Sequence, residues 1–394
     1  MKKLLEKLLN FLRSTAVGAY FAREIPPAAW IRRALVSFCV FLFAVAALMS
    51  LFDPCFRYHK WKAIPRLYTQ PYWQIPGILK HFDYDAVIVG SSTSQNFNLA
   101  VFRREFGGKP VKATASACYS HTGRVFAETA IRSNPKLKRI YYGLDLFIFF
   151  SPSDYDKYPL PDFLYNDDHR KDYCYWWNYD IAFIFLQDVQ RDFTSLVRGD
   201  NICTNPDLMF AGNYLGDLKK HGRKAVVGSI RRNTFRQTAQ IGEKERANAR
   251  RRFAENLDTN FVPLVRDNPS IEFFFYFTPS SALNFADAKS CDTLDLFLEL
   301  RQTIVEKLLV FPNVRIYDFQ IAEETKSIDN YKDMTHYVPG INDKMVVWMR
   351  QDKYRIYSPA DMTDHNRTLT RYADELMPLW KSILKEASAP GRKR

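Results

Sequence analysis

Residues 34–52 form an apolar run, interrupted only by Ser37 and Ser50 and free of charge. As a helix this run is about 28 Å long, close to the roughly 30 Å hydrocarbon core of a bilayer. Beyond it the pattern changes. Residues 57–84, rich in Tyr, Trp and Pro, predict an extended linker. Short apolar runs bounded by turn residues then alternate with stretches of helical spacing. Strands are expected at 86–89, 111–115, 139–142, 271–277 and 314–317, and helices at 94–105, 123–133, 243–266, 292–310, 339–349 and 361–386. Short runs of this kind suit strands buried on both faces. The alternation predicts an α/β fold, a parallel sheet with helices on both faces. Residues 151–240 break the rhythm and predict a partly helical insertion over the sheet, of the kind that carries specificity. The expected organisation is a leader at 1–33, a span at 34–52, a linker at 53–83 and one domain at 84–394 holding the insertion.

Charge orients the span. Residues 1–33 carry seven Lys/Arg against two Glu, with Arg32 and Arg33 directly before the run. The positive-inside rule places that end in the cytoplasm and the rest outside, as a single-pass protein of the plasma (inner) membrane. The run is too long for a signal-peptide core, and the Ala44-Val45-Ala46 triplet lies inside it, which argues for an uncleaved anchor. Leu4, Leu5, Leu8, Leu9 and Leu12 repeat at helical spacing among basic residues. They suit either a helix on the inner surface or one that only orients the span.

The net charge of the 394 residues is +13, so the outer part keeps a basic surplus, densest between Lys219 and Arg252. Outside a membrane this suggests anionic or neutral cell-surface polymers or lipid headgroups; a solvated helix face explains it equally well. Nucleic acid is a poor fit on topology and motif. The six cysteines include no Cys-x-x-Cys or Cys/His cluster, so no metal is expected. A Cys174–Cys203 bridge is permitted by an oxidising compartment.

Two segments carry chemistry. Asp85-Ala86-Val87-Ile88-Val89-Gly90-Ser91-Ser92 reads as a buried strand running into a Gly-Ser turn. Asp333-Met334-Thr335-His336 places a carboxylate three residues before a histidine, on a loop between the last strand and a helix. A serine hydroxyl needs a base for its proton, an acid to orient that base, and donors for the oxyanion. Ser91 or Ser92 can serve as nucleophile, with His336 as base and Asp333 behind it; no other histidine has this context. Thr278-Pro279-Ser280 reads as a turn ending a strand or as a cleft wall. The aromatic cluster Tyr173, Tyr175, Trp176, Trp177 and Tyr179 suits sugar stacking, core packing or a membrane-facing role.

In these blocks the chain resembles the SGNH hydrolase superfamily, the GDSL-type esterases. Gly90-Ser91-Ser92 is similar to its first block, with Ser91 in the usual Asp position, and Asp333-Met334-Thr335-His336 to its last. The resemblance covers roughly residues 84–350. It implies a three-layer flavodoxin-like sheet, Ser92 as nucleophile and a Ser92–His336–Asp333 triad that needs no cofactor. The anchor and the Gly-Ser-Ser block resemble more narrowly the membrane-anchored members that accompany membrane-bound O-acyltransferases. That branch implies a serine acyltransferase or esterase acting on acetyl or D-alanyl groups of a surface polysaccharide or wall polymer. A non-catalytic scaffold assisting such an acyltransferase is the alternative. The middle blocks depart from the family. Where it has a glycine amide for the oxyanion, this chain has Ala117 or Cys118. Where it has an asparagine, this chain has Asp145, whose carboxylate donates only if protonated. Asp145 therefore stays neutral, serves another role or marks altered catalysis.

Overall fold

The apolar run folds as one helix, α1 (Pro27–Phe52), long and apolar enough to cross a membrane. Arg32 and Arg33 lie within it rather than before it. In the computed structural model the described residues are 26–60, 68–166, 168–198, 205–211, 220–232 and 241–388. The leucine repeat of the leader, Cys203 and so the Cys174–Cys203 bridge, Lys219, and the basic tail at 392–394 lie outside the described residues. Helix α1 stops at Asp53, whose backbone is left-handed at φ 43°. The buried Asp53 carboxylate holds the exit turn. It accepts the amides of Arg57 at 2.7 Å, Tyr58 at 2.8 Å and His59 at 3.0 Å.

The expected extended linker is instead partly helical, as α2 (Pro71–His81). Pro71 suits the first turn because its missing N–H has no intrahelical role there. Pro76, inside the helix, cannot donate to the Tyr72 carbonyl four residues back. The Tyr165 hydroxyl supplies that bond at 3.1 Å, so the helix survives its proline.

Six strands form one sheet: β1 (Ala86–Gly90), β2 (Pro110–Thr114), β3 (Arg139–Leu144), β4 (Glu272–Phe277), β5 (Val314–Asp318) and β6 (Arg355–Ile356). Their order is β2-β1-β3-β4-β5-β6, with β1–β5 parallel and β6 antiparallel to β5. This α/β sheet has an order compatible with a flavodoxin-like fold. Strands β1 and β2 are buried at every position, as strands covered on both faces are, and Lys112 within β2 donates to the Gln95 and Phe97 carbonyls.

The chain reverses direction across the sheet at β1, so right-handed crossovers put successive helices on opposite faces. Helix α3 (Leu99–Phe106) accordingly packs with the late helix Pro339–Arg350, whereas α4 (Ser120–Ser133) packs with α2 and with Glu243–Asn260. The expected helix at 94–105 starts late. The polar run after Ser92 makes a short 3-10 turn, and α3 begins only where the Asn98 side chain caps the Ala100 amide. The expected helix at 243–266 breaks at Phe261, before Pro263. Helix Leu283–Ser290 and the two-residue strand β6 are additions to the expected elements.

The insertion is partly helical, but its Tyr173–Trp176 helix packs on α1 rather than over the sheet. Part of the basic stretch is matched by carboxylates of neighbouring helices: Arg246 meets Asp295, Arg250 meets Glu299 and Arg223 meets Glu386.

Candidate active site

Parallel strands point their carboxyl ends to one edge of the sheet, and ligands of such sheets sit there, beside the strand where the order reverses. Strand β1 is that strand. The residues just past β1 to β5 (Ser92, Ala117, Asp145, Thr278 and Gln320) line one cavity of about 610 Å³ together with His336.

Ser92 opens the 3-10 turn after β1. The Thr93 carbonyl accepts bonds from the Tyr337 hydroxyl at 3.1 Å and the Asn342 amide at 3.0 Å. The Ser92 turn is thereby tied to the loop that carries His336. Ser94 tucks its hydroxyl between β1 and β3, bonded to Tyr276 at 2.8 Å. Gly90 and Gly143 leave the room: a Cβ on Gly90 would lie 2.4 Å from the Ser94 hydroxyl, and one on Gly143 2.8 Å from it.

The Ser92 hydroxyl lies 2.8 Å from His336 Nε2, and His336 Nδ1 lies 2.8 Å from Asp333 Oδ2. The other Asp333 oxygen accepts the amides of Thr335 and His336, both at 2.8 Å. The Asp-x-x-His spacing thus lets one carboxylate brace its own turn and the imidazole. Burial works to raise the Asp333 pKa. The hydrogen bond and charge of His336, with the two amides, outweigh it and hold the carboxyl below its usual range. Other histidines also pair with carboxylates: His121 with Asp156, His169 with Asp172 and His365 with Asp318. Among the described residues only His336 bonds a serine as well. Ser91, the other candidate nucleophile, is buried and gives its hydroxyl to Asp145.

The β2 turn separates the two backbone candidates. The Cys118 amide is already used, donating to the Ala115 carbonyl at 3.2 Å. Burial, then the charges of Asp156 and Asp145, pushes the Cys118 thiol well up, so it is no rival nucleophile. Ala117 lines the cavity and has a left-handed backbone, φ 54°. The turn therefore does need the conformation glycine prefers, and alanine adopts it here. Among the described residues neither the Ser92 nor the Ala117 amide donates a hydrogen bond, and both residues line the cavity.

Asp145 follows β3, where it is 4 % exposed. Its oxygens are occupied by three hydroxyls. Ser91 and Thr278 each lie at 2.5 Å, and Thr93 at 3.2 and 3.3 Å from the two oxygens. Hydroxyls aimed at both oxygens make Asp145 an acceptor rather than a donor to the cavity.

The open alternative at Thr278-Pro279-Ser280 is decided by the cavity, and one participant, Tyr72, has no counterpart among the sequence expectations. The Thr278 hydroxyl bonds Asp145 and, with Ser280, lines the cavity, so Thr278-Pro279-Ser280 is a cleft wall. Its position at a strand's carboxyl end was the available signal. Tyr72, on α2, donates to the carbonyls of Ser116 at 2.8 Å and Ala117 at 3.3 Å, bracing the β2 turn from outside. No local sequence feature announces that contact. Phe147, Phe150, Phe285 and Phe297 give the cavity an apolar side, and Lys157 and Asn284 a polar one. Comparison of the chain with family models, with curated proteins and with solved structures gives no match.

Proposed function

We propose that this protein is an SGNH-type serine acyltransferase or esterase, anchored by α1 with its N-terminus cytoplasmic and its domain extracytoplasmic. The observation that carries the reading is the Ser92–His336–Asp333 relay, with both side-chain links at 2.8 Å, on the wall of a cavity at the strand ends. The resemblance in the Gly-Ser-Ser and Asp-x-x-His blocks and the strand order support the family.

The chemistry follows from the atoms in place. Asp333 accepts a hydrogen bond from the Nδ1–H of His336 and so leaves Nε2 unprotonated towards Ser92. Ser92 Oγ attacks an acyl carbonyl as Nε2 takes its proton. The negative charge that develops on the carbonyl oxygen is met by the Ser92 and Ala117 amides. Collapse expels the donor alcohol, which leaves with the proton from Nε2, and an acyl-serine remains. An acceptor hydroxyl, or water, then attacks the acyl carbon as it loses its proton to Nε2; the bond to Ser92 Oγ breaks, and Oγ leaves with that proton. The first outcome is transfer and the second hydrolysis. The substrates that fit the topology are acetyl or D-alanyl groups of a surface polysaccharide or wall polymer. A membrane-bound O-acyltransferase is the partner that would bring the acyl group across the membrane.

A second reading rests on Asp145. An acceptor where the family has a donor suits a non-catalytic scaffold of the same fold, assisting such an acyltransferase. A fluorophosphonate probe on the purified full chain separates the two. Labelling of the wild type that disappears in Ser92→Ala and His336→Ala supports catalysis. Absence of labelling in the wild type, alone and in membranes with a co-expressed acyltransferase, favours the scaffold.

A further inference from the structure

The insertion holds a surface that the proposed chemistry does not use. Helix α5 (Tyr173–Trp176) is followed by α6 (Tyr179–Arg198), and this pair leans on the apolar helix α1. The Trp177 indole donates to the Leu42 carbonyl at 3.3 Å. Leu42 lies ten residues before the end of α1 at Phe52, which is about 15 Å along the helix, half of a hydrocarbon core. Trp176 and Trp177 close an apolar hollow of about 440 Å³ over Leu42, Phe43, Ala46 and Ala47. Higher on α1, the rings of Phe52 and Phe185 meet at 5.1 Å.

Helix α6 turns Ile181 and Ile184 inwards, leaving Tyr179, Phe183 and Leu186 exposed at helical spacing, with Tyr179 80 % exposed and Leu186 61 %. A side chain that reaches the middle of a spanning helix shares that helix's solvent, and for α1 that solvent is lipid. The polar layer above is also in place. Tyr175 reaches Asp53 at the end of α1, and Arg57 pairs with the buried Asp172 at 2.9 Å. Arg57, Lys80, His81, Arg132 and His169 surround a hollow at that level. Aromatic rings below and basic groups above are the order in which a bilayer presents chains and headgroups.

We propose that α5 and the first half of α6 are seated in the bilayer leaflet next to the domain, with Trp177, Phe183 and Leu186 among the acyl chains. The occupant of this face is phospholipid. The proposal rests on α1 crossing a membrane and is independent of the catalytic reading. It makes the domain a body fixed on the membrane at two points, α1 and the insertion, rather than one tethered by a linker.

The full chain in nanodiscs of phosphatidylglycerol and phosphatidylcholine tests it. Tryptophan fluorescence is compared between ordinary lipids and lipids brominated at mid-chain. Trp177→Phe is expected to lose a bromine-quenched component, and Leu186→Trp to gain one. Neither change is expected to alter quenching by aqueous iodide. If Leu186→Trp adds an iodide-quenched component and no bromine-quenched one, the face lies in water and is left for a protein partner, which overturns the proposal. Extraction of the full chain from membranes by alkaline carbonate also overturns it, by removing its premise. Neither result bears on fluorophosphonate labelling, so the two proposals fail separately.

Discussion

Replacing Asp145 with Asn exchanges one oxygen for an amide and changes what this position offers to the cavity. In the wild type the carboxylate accepts from Ser91, Thr278 and Thr93. Asn keeps one accepting oxygen, and a hydroxyl facing the new amide must turn to accept. Charge-assisted bonds become neutral ones, a loss of about 1–3 kcal/mol in stability. Catalytically the change runs the other way. In the proposed reaction a side chain that only accepts gives the oxyanion nothing, and an amide in its place donates to it. One such donor is worth about 10²–10³ in kcat. Part of that is offset if the amide keeps bonding Ser91 or Thr278, so a rise of about tenfold or more is expected. The assay is p-nitrophenyl acetate hydrolysis by the full chain in detergent, with the melting temperature followed in parallel. Asp145→Ala adds no donor and should show no such rise. If Asp145→Asn is folded yet as slow as Ser92→Ala, the carboxylate is required as an acceptor and the reasoning fails.

Two further outcomes concern stability. Ala117 holds a left-handed backbone that costs an L-residue about 1–2 kcal/mol, so Ala117→Gly is expected to gain about 0.5–1 kcal/mol after the added unfolded-state freedom is counted. Urea unfolding checks this, and a loss of stability would show that the alanine methyl packs usefully. The fully buried Arg301–Asp318 pair is braced by His365, at 3.1 Å from Asp318. Asp318→Asn leaves the Arg301 cation buried without its partner and should cost about 3–5 kcal/mol. Burial pushes the Asp318 carboxyl up, but Arg301 and His365 outweigh it and hold it below its ordinary value. A depressed folded-state pKa stabilises above the unfolded value of about 4, and that stability is lost as pH falls through the lower folded value. Thermal melts should therefore lose this acid-side dependence in Asp318→Asn; an unchanged dependence would place it on other carboxylates.

Legibility in the sequence followed how local each cause is. Strands β1 to β5 and their order along the chain were readable because each is an apolar run closed by a turn. Ser92, Asp333 and His336 were readable because a strand end and an Asp-x-x-His loop fix each group within a few residues. Pro71–His81 was misread because two prolines argue against a helix, and the bond that rescues it comes from Tyr165, far along the chain. Helix α3 starts later than expected because Ser92, Thr93 and Ser94 turn their hydroxyls to His336, Asp145 and Tyr276 on other elements, and only Asn98 caps a helix start. The α1 contacts of Trp176 and Trp177 lay between three open readings. Only the fold brings residue 177 to residue 42.

The oxyanion side of the cavity shows where local rules stop. A turn with positive φ favours glycine, yet the turn at Ala117 has φ 54° and keeps the alanine. Its conformation is imposed from outside. Tyr72 binds the carbonyls of residues 116 and 117, and Cys118 closes the turn through its own amide. Asp145 is likewise defined by neighbours from two other strand ends, Ser91 and Thr93 after β1 and Thr278 after β4. A carboxylate held by three hydroxyls locks those strand ends together, which an asparagine would do less firmly. In the wild type the position therefore braces the Ser92 turn, and Asp145→Asn trades part of that bracing, read as a lower melting temperature, for a donor to the cavity. It follows that catalysis here would rely on the Ser92 and Ala117 amides, and that Ser91, Thr93 and Thr278 belong to the positioning of Ser92 as much as Asp145 does.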